Sequence, residues 1–395
     1  MAYEEHEKIK ASAWKRRTAS LPEEARAAAP YVGKDGKLGS KPYDFCLPPE
    51  FARLSLLPEV RDLALELFRE LEIPWHAGVE GGPSNHLMSS QVQCANALAQ
   101  MVGDPARVMA VFGELLSIEE VLEIESGRFL TFEYIGEDDL LNEAVGGKRT
   151  RGAYCTSVDA AFLHRASGGV IELVLVEWKY TEKYAVRPIS PTKNATRLKR
   201  YGSLLSAPDS PVRTDLLSFD YLTDEPFYQL VRQQLLAHAL ENRNPYGAGR
   251  CRVVHVSPPA NSAYQTSLAR PEHQKLGSTV GEVWHRILRQ PDRFLTLDSE
   301  VFLDASVTSR EYAARYADRV VWDASSLLAY TGYQDIGVFE DVYDFDGDLT
   351  SVDEGLVMSM GGVECLLPYS FPMRELYELS VELERGDDLD PDLED

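Results

Sequence analysis

The sequence predicts an α/β protein built on a mixed sheet, with helical N-terminal and further C-terminal additions. Three features predict it. Three apolar runs of strand length follow one another at Phe129–Ile135, Tyr154–His164 and Val170–Tyr180. Gly168-Gly169 between the second and third suits a hairpin turn. A helical pattern at Phe227–Glu241 then leads to a fourth short apolar run, Arg252–Val256, before Pro258-Pro259.

The first part of the chain, to about Leu47, is polar, with basic and Gly/Lys-rich stretches, and reads as a partly helical, partly flexible lead-in. Leu57–Leu71 carries Val60, Leu63, Leu67 and Leu71 at helical spacing, with Arg61, Asp62, Glu66, Arg69 and Glu70 on the polar side. Ser89-Ser90 offers an N-cap for a helix over Gln91–Met101. Pro105–Leu116 and Arg270–Arg289 also read as helical. Beyond about Leu295 the chain turns acidic and aromatic, and its end, Glu384–Asp395, has seven acidic residues and one basic one, a solvated tail. The expected divisions are a lead-in over 1–82, a core over 83–260 and an acidic accessory region over 261–395.

With 395 residues, 44% of them hydrophobic, the chain can bury a substantial core. It contains no apolar run long enough to span a membrane, and Met1–Lys10 lacks the apolar centre of a secretory signal. Cys46, Cys94, Cys155, Cys251 and Cys365 are scattered and odd in number, as expected of free thiols in a reducing cytosol. The net charge of −23 argues against a protein that coats nucleic acid non-specifically. Positive charge is nevertheless concentrated locally. Lys148, Arg149 and Arg151 precede Asp159, and Lys183, Arg187, Lys193, Arg197, Lys199 and Arg200 occupy a stretch with no acid. A solvated basic loop explains such a run on its own; its position around Asp159 and Glu177 makes it a candidate for DNA contact.

The chemistry centres on Val174-Leu175-Val176-Glu177-Trp178-Lys179 and on Asp159 in the preceding run. Side chains alternate along a strand, so Glu177 and Lys179 share a face. If the two strands pair, two carboxylates and an ammonium meet, which is equipment for holding Mg²⁺ and cutting a phosphodiester. The ordinary alternative is a salt bridge closing two strands. Two negative charges against one positive leave an imbalance that a metal explains better. Glu133, between Phe132 and Tyr134, is a third acid that could ligate a cation or instead pair with an arginine. Gln229, Arg232 and Gln233 fall on one helical face, either over the site or toward solvent. His86, Ser90 and Gln91 lead into a helix whose N–H groups could receive phosphate, although Ser90 as a plain cap would suffice. Tyr180 and Tyr184 could contact substrate or simply pack. Asp344-Phe345-Asp346-Gly347-Asp348 has its glycine in the wrong place for a calcium loop and reads as an acidic turn.

The element order, with Asp on the second strand and Glu-x-Lys ending the third, resembles the PD-(D/E)XK nuclease superfamily. Three strings resemble its bacterial, restriction-endonuclease-like branch: His86-Leu87-Met88-Ser89-Ser90-Gln91, Arg151-Gly152-Ala153-Tyr154-Cys155-Thr156-Ser157-Val158-Asp159-Ala160 and Glu177-Trp178-Lys179-Tyr180-Thr181-Glu182. The helix string Tyr228-Gln229-Leu230-Val231-Arg232-Gln233 is similar too. The resemblance covers roughly Pro83–Pro258 and implies an αβββαβ core. It implies that Asp159 and Glu177 ligate Mg²⁺ or Mn²⁺ with the Trp178 carbonyl, that Lys179 positions the attacking water, and that the products are a 5′-phosphate and a 3′-hydroxyl. Val158 stands where the superfamily's name has proline.

The expectation is a metal-dependent deoxyribonuclease acting on DNA, with no membrane partner; double-strand cutters of this kind often pair two copies. The alternatives are an inactive relative that binds nucleic acid or protein through the same fold, an acidic interaction protein, and a ribonuclease.

Overall fold

Apolar residues cover both faces of the central strands, so the sheet that carries them has to be covered by helices on both sides. The computed structural model describes residues 2–144, 148–184 and 191–317, and the backbone of the strands Arg319–Val321, Asp348–Val352, Gly355–Met360 and Val363–Pro368. Arg187, the 344–347 part of the acidic turn and the acidic tail lie outside the described residues. The chain forms two compact units, residues 23–313 and residues 1–22 with 314–395.

The larger unit includes residues 83–260 and extends beyond them on both sides. Its six-stranded mixed sheet comprises β1 (Ile118–Leu122), β2 (Leu130–Tyr134), β3 (Val158–Ala166), β4 (Ile171–Trp178), β5 (Arg250–Ser257) and β6 (Phe294–Asp298). β1 and β2 share one edge of β3, both antiparallel to it. β3 and β4 form the hairpin turned by Gly168 and Gly169, both at positive φ. β4, β5 and β6 run parallel.

Among the described residues of this unit, six helices of eight residues or more frame the sheet: α1 (Arg61–Glu70), α2 (Ser90–Leu98), α3 (Pro105–Leu116), α4 (Pro191–Ser206), α5 (Phe227–Arg243) and α6 (Val280–Ile287). Side chains of α4, α5 and α6, among them Tyr201, Val231, Leu235 and Trp284, join Leu173, Leu175 and Val253 in one buried cluster. On the other face Phe112 of α3 packs on Phe162 at 4.9 Å, and Trp178 donates Nε1–H to Gln93 of α2 at 2.9 Å. Buried on that face as well, Glu172 meets Arg250 at 2.7 Å and Arg252 at 3.2 Å.

The sequence reading departs from this in places. Ser89, not Ser90, caps α2, its hydroxyl accepting from Val92 N–H at 3.4 Å. Residues 154–157 precede β3 as a loop, because Gly152 and Tyr154 both take positive φ. The basic stretch after Ser190 is helical from Pro191, a residue whose fixed φ suits a first helical position. Arg270–Arg289 holds only the short helix Pro271–Gln274 and α6.

The smaller unit contains the helix Tyr3–Arg17 and a four-stranded sheet, in which Gly355–Met360 lies between Asp348–Val352 and Val363–Pro368, antiparallel to both, and Arg319–Val321 joins the latter in parallel. Lys10 donates to the Tyr316 carbonyl at 3.0 Å, and the Arg315 guanidinium lies 4.6 Å from the Trp14 ring centre. No described helix is long and apolar enough to cross a membrane.

Phe162 is fully buried at the centre of the sheet. Phe162→Ala should lower the unfolding free energy by roughly 4 kcal/mol, read from the denaturant midpoint. A loss below about 1 kcal/mol would mean that the α3 face is not part of the core.

Candidate active site

Strand register builds the site. Ala160 pairs with Val176, which sets Asp159 beside Glu177. Phe132 pairs with Ala160 and Tyr134 with Val158, which sets Glu133 on the other side of Asp159. Residues directly opposite on neighbouring strands share a face. Asp159 and Glu177 therefore stand side by side across β3 and β4, Lys179 follows Glu177 by one pleat, and Glu133 of β2, whose left-handed backbone breaks the alternation, extends the row by coming close enough to act on Asp159.

Glu177 and Lys179 are 3% and 4% exposed. Lys179 Nζ lies 2.6 Å from Glu177 Oε1 and donates to Gln229 Oε1 at 2.7 Å, while Gln229 Nε2 donates to the same Glu177 oxygen at 2.8 Å. Gln229 thus closes a three-membered network from α5, and the Tyr184 hydroxyl donates to its Oε1 at 3.4 Å. Asp159 Oδ2 accepts the Trp178 N–H at 2.7 Å. Glu133 accepts from Gln91 Nε2 at 3.2 Å and from the Ser157 hydroxyl at 2.6 Å.

Burial and the negative charges of Glu177 and Glu133 push the Asp159 carboxyl well above the usual carboxylate range, against the opposing pull of Lys179. Burial, with Glu177 adding to it, raises Glu133 against its hydrogen bonds from Ser157 and Gln91. Burial pulls the Lys179 ammonium down, but Glu177, with Tyr184, Glu182 and Tyr264, outweighs it and holds the amine well above the ordinary lysine value. Lys179 is therefore a charged donor at neutral pH and not a base.

These shifts record an unbalanced negative charge, and carboxylate oxygens are the donors that a hard divalent cation takes. The donor chemistry fits such an ion. The side chains as they stand are not gathered around one point: among the described residues no group of three or more His, Cys, Asp or Glu is arranged to hold a metal. Glu177 is instead held by Lys179 and Gln229.

Several other expected residues meet here and several do not. Gln91 reaches Glu133 and also binds His76 N–H at 2.8 Å. Ser90 is the first residue of α2 and is half-buried. Arg232 turns away, donating to Thr156 Oγ1 at 3.0 Å and lying 3.5 Å from Glu143. Gln233 is 1% exposed, and neither amide atom has a hydrogen-bond partner among the described residues. Trp178 directs its ring to the opposite face.

The expected DNA-contact residues divide in the same way. Arg149 binds the carbonyls of Ile135, Gly136 and Glu137, and Arg151 binds Glu125, Thr131 and the Phe132 carbonyl. Arg197 lies 3.5 Å from the Tyr228 ring centre and donates to the Thr223 carbonyl. These three guanidiniums brace the fold. Lys148, Lys183, Lys193 and Lys199 are exposed, and Arg200 is half-buried. Lys148 sits over the ring of Tyr154, itself 72% exposed.

The sequence reading missed a basic hairpin, Ala29–Val32 paired with Leu38–Tyr43, that carries Lys34, Lys37 and Lys41. Burial, and then Lys34, lower the His76 pKa, which places the hairpin near the Gln91 end of the acid row. It also missed Gln93 and His255. The Gly/Lys-rich run from Gly33 to Lys41 was the available signal for the hairpin; a buried glutamine partner for tryptophan leaves no signal in one sequence.

A carboxyl with a raised folded pKa binds more protons folded than unfolded, so stability falls as pH rises through that window. The cation-free protein should therefore lose stability as pH climbs from the ordinary carboxylate value through the Asp159 value. Asp159→Asn should shrink that loss, measured by urea unfolding in chelator at a series of pH values. An undiminished loss would place the titrating group elsewhere.

Comparison with curated proteins and with solved structures returned no match. A family model described as Restriction Endonuclease associating with ARP matches residues 8–319, most of the chain and all of the row from Glu133 to Lys179. The chain belongs to this restriction-endonuclease-like family.

Proposed function

We propose that this chain is a metal-dependent endonuclease that hydrolyses phosphodiester bonds in DNA, using Mg²⁺ or Mn²⁺. The observation that carries the reading is the row of three acids on adjacent strands with one buried, protonated lysine beside it. Asp159 and Glu177 would hold the cation, joined by the Trp178 carbonyl and, from β2, by Glu133. When bound, such an ion polarises a phosphoryl oxygen and lowers the pKa of its water.

The protein's own groups do the rest. Lys179, held charged, offsets negative charge developing on the scissile phosphate and donates to the attacking water. Gln229 grips Lys179 with its carbonyl and Glu177 with its amide, and so orients both side chains toward the row. Gln91 and Ser157 fix the Glu133 carboxylate in the same manner. Lys148, Lys193, Lys199 and the Lys34 hairpin supply the phosphate contacts that a protein of net charge −23 has to concentrate locally. Cutting both strands at one locus requires two such sites, so two copies acting together is the matching assembly. The family description supports a role in restriction and DNA as substrate.

Plasmid digestion in Mg²⁺ or Mn²⁺ tests this. Lys179→Ala and Glu177→Gln should each lower the cleavage rate by at least about 10²-fold, with chelator abolishing it. Equal degradation by wild type and both variants would sink the assignment. Lys199→Ala should reduce the slope of log binding against log salt by about 1, whereas Arg151→Ala should lower stability instead. A salt slope unchanged by Lys199→Ala would remove α4 from the DNA contact.

A further inference from the structure

The basic hairpin is an arm with no core of its own. Ala29–Val32 runs antiparallel to Leu38–Tyr43, and the Gly33 N–H closes the tip on the Lys37 carbonyl at 2.9 Å. Every residue from Lys34 to Asp44 is exposed. An antiparallel sheet ordinarily packs one face on a core, and a two-stranded hairpin alone is marginal in water. This one is held from its root. Asn85, fully buried, accepts the Val32 N–H at 3.1 Å and donates to the Pro30 and Leu47 carbonyls at 2.9 and 2.8 Å. The His86 ring sits edge-on to Tyr31 at 5.2 Å and to Phe45 at 5.1 Å, and the Leu87 N–H donates to the Phe45 carbonyl at 3.0 Å.

The segment that braces the arm also leads to the acid row. It runs from Asn85 to the Ser89 cap of α2, and Gln91 then reaches Glu133 at 3.2 Å. Gln91 also accepts the His76 N–H, and Lys34 is near enough for its charge to act on the His76 ring. The arm is therefore fixed with respect to the Glu133 end of the site, not merely tethered to it.

Its charge and shape select a partner. Gly33–Tyr43 carries Lys34, Lys37 and Lys41 against Asp35 alone, in a chain of net charge −23. Lys37 pairs with Asp35 at 3.0 Å, and Lys41 stands 5.8 Å from the Tyr43 ring centre. Lys41 and Pro42 on the outer strand oppose the addition of another strand to that edge. Two strands about 4.8 Å apart, with their side chains, fit a major groove of about 12 Å and not a minor groove of about 6 Å. Lysine there is a donor for guanine O6 and N7.

We propose that this hairpin enters the major groove of duplex DNA and that Lys34 and Lys41 donate to guanine edges, beside the strand whose phosphate lies at the acid row. The proposal rests on the nuclease reading above and adds base contact to the phosphate contact given to the hairpin there.

The test measures binding of full-length protein, in chelator, to two duplexes amplified from one plasmid, one with guanine and one with 7-deazaguanine throughout. The phosphates are the same in both, and only the N7 acceptor is lost. Wild type should bind the 7-deazaguanine duplex about fivefold or more weakly. The double variant Lys34→Ala/Lys41→Ala, at exposed positions that leave the unfolding midpoint unchanged, should bind the two duplexes alike. Equal binding of both duplexes by wild type would overturn groove entry. Discrimination retained in full by the double variant would overturn the hairpin as the reader. Failure of wild type to bind either duplex would overturn this proposal and DNA as substrate together. Discrimination as expected, with no cleavage in the plasmid digest, would uphold the hairpin and remove the nuclease chemistry.

Discussion

The Lys179 ammonium, buried beside Glu177 and gripped by Gln229, is the constraint on which the rest of the site depends. A charge taken out of water survives only with close opposite charge and filled hydrogen bonds. The parallel pairing of β4 with β5 and the crossover through α5 supply that enclosure. The same enclosure leaves Asp159 and Glu133 with more negative charge than one amine can neutralise. Site and fold are thus one electrostatic arrangement: the register that makes the sheet also makes the imbalance.

Much of this was legible in the sequence because β structure has a short period. Two-residue alternation put Glu177 and Lys179 on one face, the Gly168-Gly169 turn fixed the hairpin, and together these bring Asp159 beside Glu177. The α5 helix was legible from its apolar spacing, and Gln229 from its place on that helix. Less legible were the elements whose conformation depends on distant partners. β1 and β6 are short edge strands with mixed exposure, and their pairing with β3 and β5 is a tertiary outcome. The start of β3 was misplaced because a left-handed Tyr154 does not show in an apolar pattern.

Basic residues show the same limit. Composition treats every arginine alike, yet Arg149, Arg151 and Arg197 are consumed by carbonyls, a carboxylate and a tyrosine ring. Their planar forks suit that structural work, while the lysines nearby stay at the surface. Arg232 follows the same rule. Sharing a helical face with Gln229 did not bring it to the acid row, because Thr156 and Glu143 lie closer.

Glu133 holds φ at 48°, a left-handed backbone inside a strand. For a residue with a Cβ that costs about 1 kcal/mol, and glycine or asparagine would relieve it. Each of those replacements also deletes the outermost acid of the row. At this one position, thermal robustness and the proposed metal chemistry select for opposite residues. A laboratory selection for heat resistance alone would be expected to erode this carboxylate early, whereas one that also demanded DNA cutting would retain the strain.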